Sequence, residues 1–341
     1  MTILQSPADQ QGIIQRLTQG GAHQKVLAFT GLIALLLIFS LASPNFLQTS
    51  NVISILQATS VNGVLALAAT LVIITGGIDL SVGALMTFCS VMTGVVLTYG
   101  GMPLPFGVVA AILTGVLCGF CSGTFVAKMK IPPFIATLGM MLIYKGLSLV
   151  ASGTRPIYFN ETPGFDLISN GSIIGYFIPA LPIPNGVLIL FLVAMAVAYV
   201  LNRTVFGRYT YALGSNEEAV RLSGVNADRW KIAVYATAGG ICGIAGLLIA
   251  SRLNSAQPAL GQGYELEAIA AVVIGGTSLS GGKGTILGTL IGALIIAVLT
   301  NGLRILSLDQ EWQNVVTGGI IILAVYADML RRGKAKFASH H

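Results

Sequence analysis

Residues capable of catalysis are few in this 341-residue chain, and none of them forms a recognised catalytic motif. A glycine-rich segment ending at Lys283 resembles a phosphate-binding loop. Such a loop needs glycine where this chain has Thr277, and Ser or Thr where it has Gly284. The chain contains neither a His-Glu-x-x-His zinc motif nor a Gly-x-Ser-x-Gly nucleophile elbow. We therefore predict that it is not an enzyme and has no catalytic, metal-binding or cofactor-binding residues.

A glycine-rich motif occurs twice, each time between two apolar runs. Residues 76–83 read GGIDLSVG and residues 275–282 read GGTSLSGG, so five of the eight positions are identical. In transporters, paired glycine-interrupted segments mark the transport path, because irregular backbone at membrane depth must be buried or line water. Alternatively, these glycines only let helices pack closely. We predict a translocation path or hinge formed by both copies and two residues near the outer mouth: Gly76, Gly77, Asp79, Ser81, Gly83, Asn254, Gln257, Gly275, Gly276, Ser278, Ser280 and Gly282.

Asp79 is the ionisable residue of the first copy, and two interpretations of it stay open. A carboxylate within a membrane is costly unless it is paired or hydrated, which favours a functional role. Alternatively, Asp79 lies at the first turn of the following helix and accepts backbone N–H groups there.

A short helix is predicted in the largest internal loop. Ser215 and Glu218 have the spacing of a capping box, with Ser215 as N-cap, and Gly224 is a typical helix end. A helix of about two turns is unstable alone and must dock on a surface. That surface is either the rim of this protein or a groove on a separate cytoplasmic subunit. The predicted contact residues are Ser215, Asn216, Glu217, Glu218, Ala219, Arg221, Leu222 and Gly224.

The composition shows which elements must position these residues. Hydrophobic residues make up 55% of the chain and charged residues 9%, and the mean hydropathy is +0.85, which excludes both an ordinary soluble domain and a disordered chain. We predict an all-α polytopic membrane protein of about ten helices. The predicted spans are Val26–Ala42, Val61–Thr75, Ser81–Leu97, Phe106–Ala127, Phe134–Ala151, Val187–Leu201, Ile232–Ala250, Leu266–Ile274, Ile286–Leu299 and Val315–Ala327. The eighth is too short to cross alone unless it continues into the glycine-rich stretch.

The distribution of Lys and Arg predicts the orientation. If both termini are cytoplasmic, the outer side holds only Lys145, Arg155, Arg252 and Arg304, and the other basic residues of the +6 chain lie inside. Counting spans makes the two glycine motifs parallel, whereas an odd number of intervening spans would make them inverted. The predicted organisation is a cytoplasmic segment 1–24, one permease domain 25–330 with a periplasmic loop 152–185 and a cytoplasmic loop 202–230, and a cytoplasmic tail 331–341.

Several long motifs resemble the permease subunits of bacterial ABC monosaccharide importers, particularly the ribose type. They are the first glycine motif, FIATL at 134–138, GRYTYALGSNEEA at 207–219, and SAQP at 255–258 followed by GYELEAIAAVV at 263–273. The resemblance covers about Ser43 to Leu330. It implies a pathway in the bacterial inner membrane that works by alternating access, without an ATPase of its own and without a cofactor. The 217–219 stretch is similar to the coupling helix of such permeases.

The resemblance also implies partners. These are a second permease subunit (identical or closely related), a cytoplasmic ABC ATPase, a periplasmic sugar-binding protein, the lipid bilayer and a small sugar, and no nucleic acid. Three alternatives remain: an ion-coupled secondary transporter, an ABC permease for another polar solute such as a branched-chain amino acid or a nucleoside, or a passive channel whose uptake is independent of ATP.

Overall fold

The protein is a bundle of helices joined by short connections. The computed structural model describes residues 22–320 together with 322, 323 and 326. The helices are Ala22–Ala42 (α1), Thr49–Ile74 (α2), Val82–Gly94 (α3), Leu104–Ala127 (α4), Pro133–Ser152 (α5), Ile173–Phe177 (α6), Asn185–Arg203 (α7), Val205–Ser215 (α8), Glu217–Leu222 (α9), Ala227–Leu253 (α10), Tyr264–Ile274 (α11) and Ile286–Ile305 (α12). A π-helical turn at Val95–Tyr99 prolongs α3, Asp166–Ile168 is a 3₁₀ turn, and residues 310–320 are helical. Strands Ile157–Tyr158 (β1) and Ser255–Ala256 (β2) pair antiparallel.

The predicted all-α polytopic architecture is confirmed. Each of the first nine predicted spans coincides with a helix, and seven helices in the described region are long and apolar enough to cross a membrane. The tenth predicted span, the segment 1–24 and the tail 331–341 lie wholly or partly outside the described residues.

Helix α11, the eighth predicted span, does not continue into the glycine-rich stretch. It has 11 residues and ends at Gly275. At about 1.5 Å per residue it covers roughly half of a 30 Å hydrocarbon layer. Non-helical backbone must therefore complete this crossing.

Helix α2 forms the centre of the bundle and is buried continuously from Thr59 to Thr75. Helix α10 packs on it and on α4, where glycines let the two backbones touch. A Cβ atom at Gly115 would overlap the carbonyl oxygen of Gly239, and one at Gly119 would overlap that of Tyr235. Small residues at such crossings are how membrane helices associate, because burying apolar groups gives no advantage over lipid.

The predicted cytoplasmic loop 202–230 is more ordered than expected. It contains two helices, α8 and α9, whereas the sequence predicted only the second. Helix α8 was missed because its apolar residues are interrupted by Arg208 and Gly214 and it is too short to register as a span.

Candidate functional site

Both glycine motifs begin with the same backbone turn. Helix α2 ends with Gly76 in the left-handed region (φ +81°) and α11 ends with Gly276 in the same conformation (φ +88°). In each turn the next N–H bonds back to a carbonyl five residues earlier, Gly77 to Val72 (3.2 Å) and Thr277 to Val272 (3.1 Å). These are Schellman caps. By backbone conformation, Gly76 thus corresponds to Gly276. In the sequence alignment of the two motifs Gly76 corresponds to Gly275, so the two correspondences differ by one residue.

The two motifs also meet in space. The Asn62 amide donates to the Glu267 carboxylate near the beginning of α11 (2.6 Å). The N–H of Gly282, in the loop after α11, donates to the carbonyl of Ile74 at the end of α2 (2.8 Å). Helices α2 and α11 therefore run in the same direction, as the span count predicted, and the loops that follow them touch.

The first loop runs through the interior to the beginning of α3. Gly83 lies against Gly261 and Glu265, where α11 begins, so the loop spans about the length of α11. The Thr137 hydroxyl of α5 accepts the N–H of Leu80 (3.1 Å). This contact supplies a partner to non-helical backbone that lipid could not satisfy.

Asp79 is buried in this loop and holds the turn into α3. Its Oδ1 accepts the backbone N–H of Ser81 (2.8 Å) and the Ser81 hydroxyl (2.6 Å). Both residues are nearly inaccessible in the single chain. The arrangement agrees with the interpretation in which Asp79 accepts backbone N–H groups, although Asp79 precedes the helix rather than lying in its first turn.

The second loop folds back on itself at one end of the bundle. The N–H of Ser278 donates to the carbonyl of Lys283 (3.0 Å), and the hydroxyls of Ser278 and Ser280 lie 3.1 Å apart. Ser280 is exposed, in contrast to the buried Ser81 of the first copy. The two copies thus share a cap but place their polar side chains at different depths.

Helix α8 rests on the end of α2 and on the second loop. At Gly214 a side chain would overlap the carbonyl oxygen of Ile74, and its Cβ would lie 2.5 Å from the nitrogen of Gly282. The Tyr211 hydroxyl donates to the carbonyl of Gly284 (3.0 Å). A movement of α8 must therefore displace the junction of the two motifs or break these contacts.

Helix α9 follows at once, and its N-cap differs from the prediction. Ser215 is the last residue of α8, and Asn216 is the N-cap, its side chain accepting the N–H of Ala219 (2.9 Å). The predicted capping box with Ser215 is wrong by one residue, since both residue types can cap and the break between helices falls after Ser215. Gly224 ends the helix as predicted, with φ +83°.

One face of α9 packs inward and the other is free in the single chain. Val220 is buried with Leu213 and Ala227, so the helix docks on the rim of this protein. The opposite face is solvent-exposed and consists of Glu218, Ala219, Arg221 and Leu222. We call these four residues the exposed face of α9.

Ion pairs fix α9 to its surroundings. Glu217 pairs with Arg221 (2.8 Å) and Lys231 (2.5 Å), and Asp228 pairs with Arg221 and with Lys130 of the α4–α5 connection (2.7 Å). Partial burial raises the pKa of Glu217, but its bonds to Lys231 and Arg221 outweigh this, so the pKa lies below its ordinary value. The network links the ends of α4, α9 and α10.

The two predicted outer residues lie at the opposite end of α10. Asn254 caps that helix in the left-handed conformation (φ 49°), and its amide donates to Asn160 (3.1 Å). Gln257 is exposed beyond it. The twelve predicted path residues therefore lie at three depths rather than in one cluster.

A cavity of about 140 Å³ lies beside the first loop, and none of the predicted residues lines it. Its lining residues come from α3, α5, the segment before α11 and the first turn of α11: Ala84, Thr87, Met141, Leu142, Lys145, Pro258, Ala259, Gly261, Gln262 and Glu265. Lys145 could have signalled this site, since it lies within the predicted span Phe134–Ala151 although it was counted with the outer loops.

The sequence and its relatives agree on one family. A family described as "Branched-chain amino acid transport system / permease component" matches residues 51–325. The ribose import permease protein RbsC of Bacillus subtilis (strain 168) is 41% identical over 315 residues, covering 92% of this chain and 95% of the relative. RbsC of Escherichia coli (strain K12) is 45% identical over 299 residues, covering 87% and 91%.

The relatives extend to a second sugar. The fructose import permease protein FrcC of Rhizobium meliloti is 43% identical over 279 residues, covering 80% of this chain and 76% of the relative. No solved structure matches the chain. Since the family covers most of the chain and the apolar helices agree with it, this protein belongs to that family of multi-pass inner-membrane transport permeases.

Proposed function

We propose that this chain is the membrane-spanning subunit of an ATP-driven ABC importer for a monosaccharide of the ribose or fructose kind. The family description names branched-chain amino acids, but relatives at 41–45% identity are named for ribose and fructose. Those matches run along almost the whole chain, which favours a sugar as the cargo.

The observation that carries the proposal is the contact of α8 with the end of α2, where the first glycine motif begins, and with the second glycine motif. Gly214 lies against Ile74 and Gly282, and Tyr211 bonds to Gly284. A partner ATPase that bound the exposed face of α9 would act through α8 on the point where both repeats meet. Alternating access then follows as a movement of the α2–α3 and α11–α12 units relative to each other.

The proposed assembly contains two permease subunits, an ATPase and a periplasmic sugar-binding protein. The exposed face of α9 is suited to the ATPase, because Leu222 is 83% exposed beside the charged Glu218 and Arg221. An exposed leucine within a polar rim is typical of a protein contact. The predicted path residues of both motifs would line or hinge the route of the sugar, with Asp79 holding the turn into α3.

The test is sugar-stimulated ATP hydrolysis in proteoliposomes that contain this chain, the candidate ATPase and the binding protein. We expect Glu218→Arg to lower the stimulation by about tenfold or more, since like charges across an interface cost several kcal/mol. The matched control is Glu161→Arg, the same charge reversal on the exposed outer loop, which should leave binding of the ATPase unchanged.

A different result would contradict the proposed ATP-driven transport. If no ATPase co-purifies with the chain and uptake follows an ion gradient alone, the ABC proposal is wrong. The chain would then be a secondary transporter, with Asp79 as the first residue to test for ion coupling.

A further inference from the structure

The cavity beside the first loop combines opposite charges inside the membrane. Lys145 lies in the middle of α5, 12 residues after its beginning at Pro133 and 7 before its end at Ser152. A lysine at that depth cannot face lipid without a large penalty, and intramembrane charges usually face a water-filled cavity or a partner. Lys145 is exposed in the single chain and borders this cavity, whose lining also includes the carboxylate of Glu265.

Glu265 stands on the other side of the same cavity. Its side chain is about nine-tenths buried, and Oε1 accepts the N–H of Gly263 (3.1 Å). The backbone of residues 257–263 before it is not helical. Non-helical backbone at membrane depth must be buried or line water. This segment contributes Pro258, Ala259, Gly261 and Gln262 to the lining of the cavity.

The remaining polar lining residues are Thr87 of α3 and Gln262. Together the four side chains offer one positive charge, one negative charge, a hydroxyl and an amide. A cationic or anionic solute would leave one of the two charges opposed, whereas a neutral solute rich in hydroxyls can donate to Glu265 and accept from Lys145. The lining is thus matched to a neutral polyhydroxylated molecule.

We infer that this cavity is a binding subsite for a neutral polyhydroxylated solute on its way through the permease, with Thr87, Lys145, Gln262 and Glu265 as its contact residues. The inference rests on the proposed function, because it names where the sugar binds. The cavity is smaller than the roughly 300 Å³ at which ligand pockets typically begin. A site of this size holds one small solute with few contacts, and few contacts suit a solute that must bind briefly and then move on.

The first test measures ribose uptake and ATP hydrolysis together in proteoliposomes of the complete importer. Thr87→Val removes a hydroxyl at nearly constant volume, and Gln262→Leu removes an amide. We expect each to lower maximal ribose uptake about tenfold while sugar-stimulated hydrolysis stays within twofold of wild type. Thr93→Val is the matched control, because Thr93 is buried on the same helix, bonds to the carbonyl of Cys89 and does not line the cavity.

The second test reads binding directly. Ala259→Cys, at an exposed residue that lines the cavity but is not one of the four contact residues, is placed in a full-length chain whose four cysteines are alanine. Its labelling by a methanethiosulfonate reagent is timed in proteoliposomes. We expect ribose or fructose to slow labelling at least fivefold and the anion gluconate to have no effect. Equal labelling rates with and without each sugar would overturn the inference.

The two proposals fail in different ways. If the wild-type importer transports ribose but Thr87→Val and Gln262→Leu both transport at the wild-type rate, the subsite is wrong and the proposed function stands. If sugar protects the Ala259→Cys variant from labelling while no ATPase supports uptake, the subsite stands and the ATP-driven function is wrong.

Discussion

The junction at Gly214 offers the sharpest test of how α8 acts on the membrane helices. Gly214→Ala places a methyl group where the carbonyl oxygen of Ile74 and the nitrogen of Gly282 now lie. Those two atoms are themselves hydrogen-bonded to each other (2.8 Å). The backbone cannot accept the methyl group without separating α8 from the junction, stretching this bond, or both.

The magnitude follows from three terms. Overpacking costs about 1–3 kcal/mol. Loss of one backbone hydrogen bond costs about 0.5–1.5 kcal/mol. Replacing glycine by alanine within α8 returns about 0.5–1 kcal/mol of helix stability. The expected net destabilisation is about 0.5–4 kcal/mol, and a middle value of about 2 kcal/mol lowers the midpoint of thermal unfolding by a few degrees.

The assay has a thermal and a functional reading. Thermal unfolding of the detergent-solubilised permease is compared for wild type, Gly214→Ala and Gly31→Ala, since Gly31 of α1 has open space around it. In proteoliposomes, Gly214→Ala should keep the ATPase bound, because the exposed face of α9 is unchanged, but sugar uptake per ATP should fall about tenfold. Gly31→Ala should leave the thermal midpoint unchanged or slightly raised, because alanine favours the helix, and it should match wild type in coupling.

One result would refute this reasoning. If Gly214→Ala unfolds at the wild-type temperature and transports sugar with wild-type coupling, α8 does not rest on the end of α2, and the route from α9 to the glycine motifs must lie elsewhere.

Three further predictions concern the cap, the ion pairs and the glycine crossing. Asn216→Ala should destabilise α9 by about 0.5–2 kcal/mol and weaken co-purification of the ATPase, whereas Ser215→Ala should have little effect; equal effects would restore Ser215 as the cap. Because the pKa of Glu217 is depressed in the folded protein, its ion pairs stabilise at neutral pH and are lost as pH falls through the folded-state pKa. Glu217→Gln should therefore lower the thermal midpoint at pH 7, and the difference from wild type should shrink with acidification and vanish only below that depressed pKa. Gly119→Ala should lower the thermal midpoint through its clash with α10, whereas Gly139→Ala, with open space, should not; equal midpoints in a melting series would contradict the crossing.

Much of the fold could be predicted from local sequence because each membrane helix carries its own signal. A long apolar run predicts a span wherever it stands, and nine of the predicted spans became helices, including the short run of α11. The shortness of α11 was also visible, since Gly275 and Gly276 interrupt its run. The amphipathic α8 carried no comparable signal, because 11 residues with an interior arginine match neither a span nor a capped surface helix.

The site was less predictable because it depends on contacts between distant segments. The two glycine motifs were found from their repetition, but only the fold shows that they touch and that their backbones pair one residue out of register. Lys145 was placed outside by charge counting although its position within an apolar run argued for the interior. Thr87 and Gln262 have no distinguishing sequence pattern at all, since a threonine in a helix and a glutamine in a loop occur everywhere.

The hydrogen bond from Gly282 to Ile74 also constrains how this protein is made. The two residues are joined in the finished fold, yet the ribosome must synthesise and the membrane must receive most of the chain between them before they can meet. Until then the end of α2 lacks its partner and α8 has no complete surface to rest on. Contacts between such distant positions form late, because the chain between them must first be ordered. The contact that we assign to coupling therefore forms late in assembly. A nascent chain that stops before Gly282 would contain α8 but would lack part of the surface on which α8 packs, so an ATPase bound to it could not act on the glycine motifs.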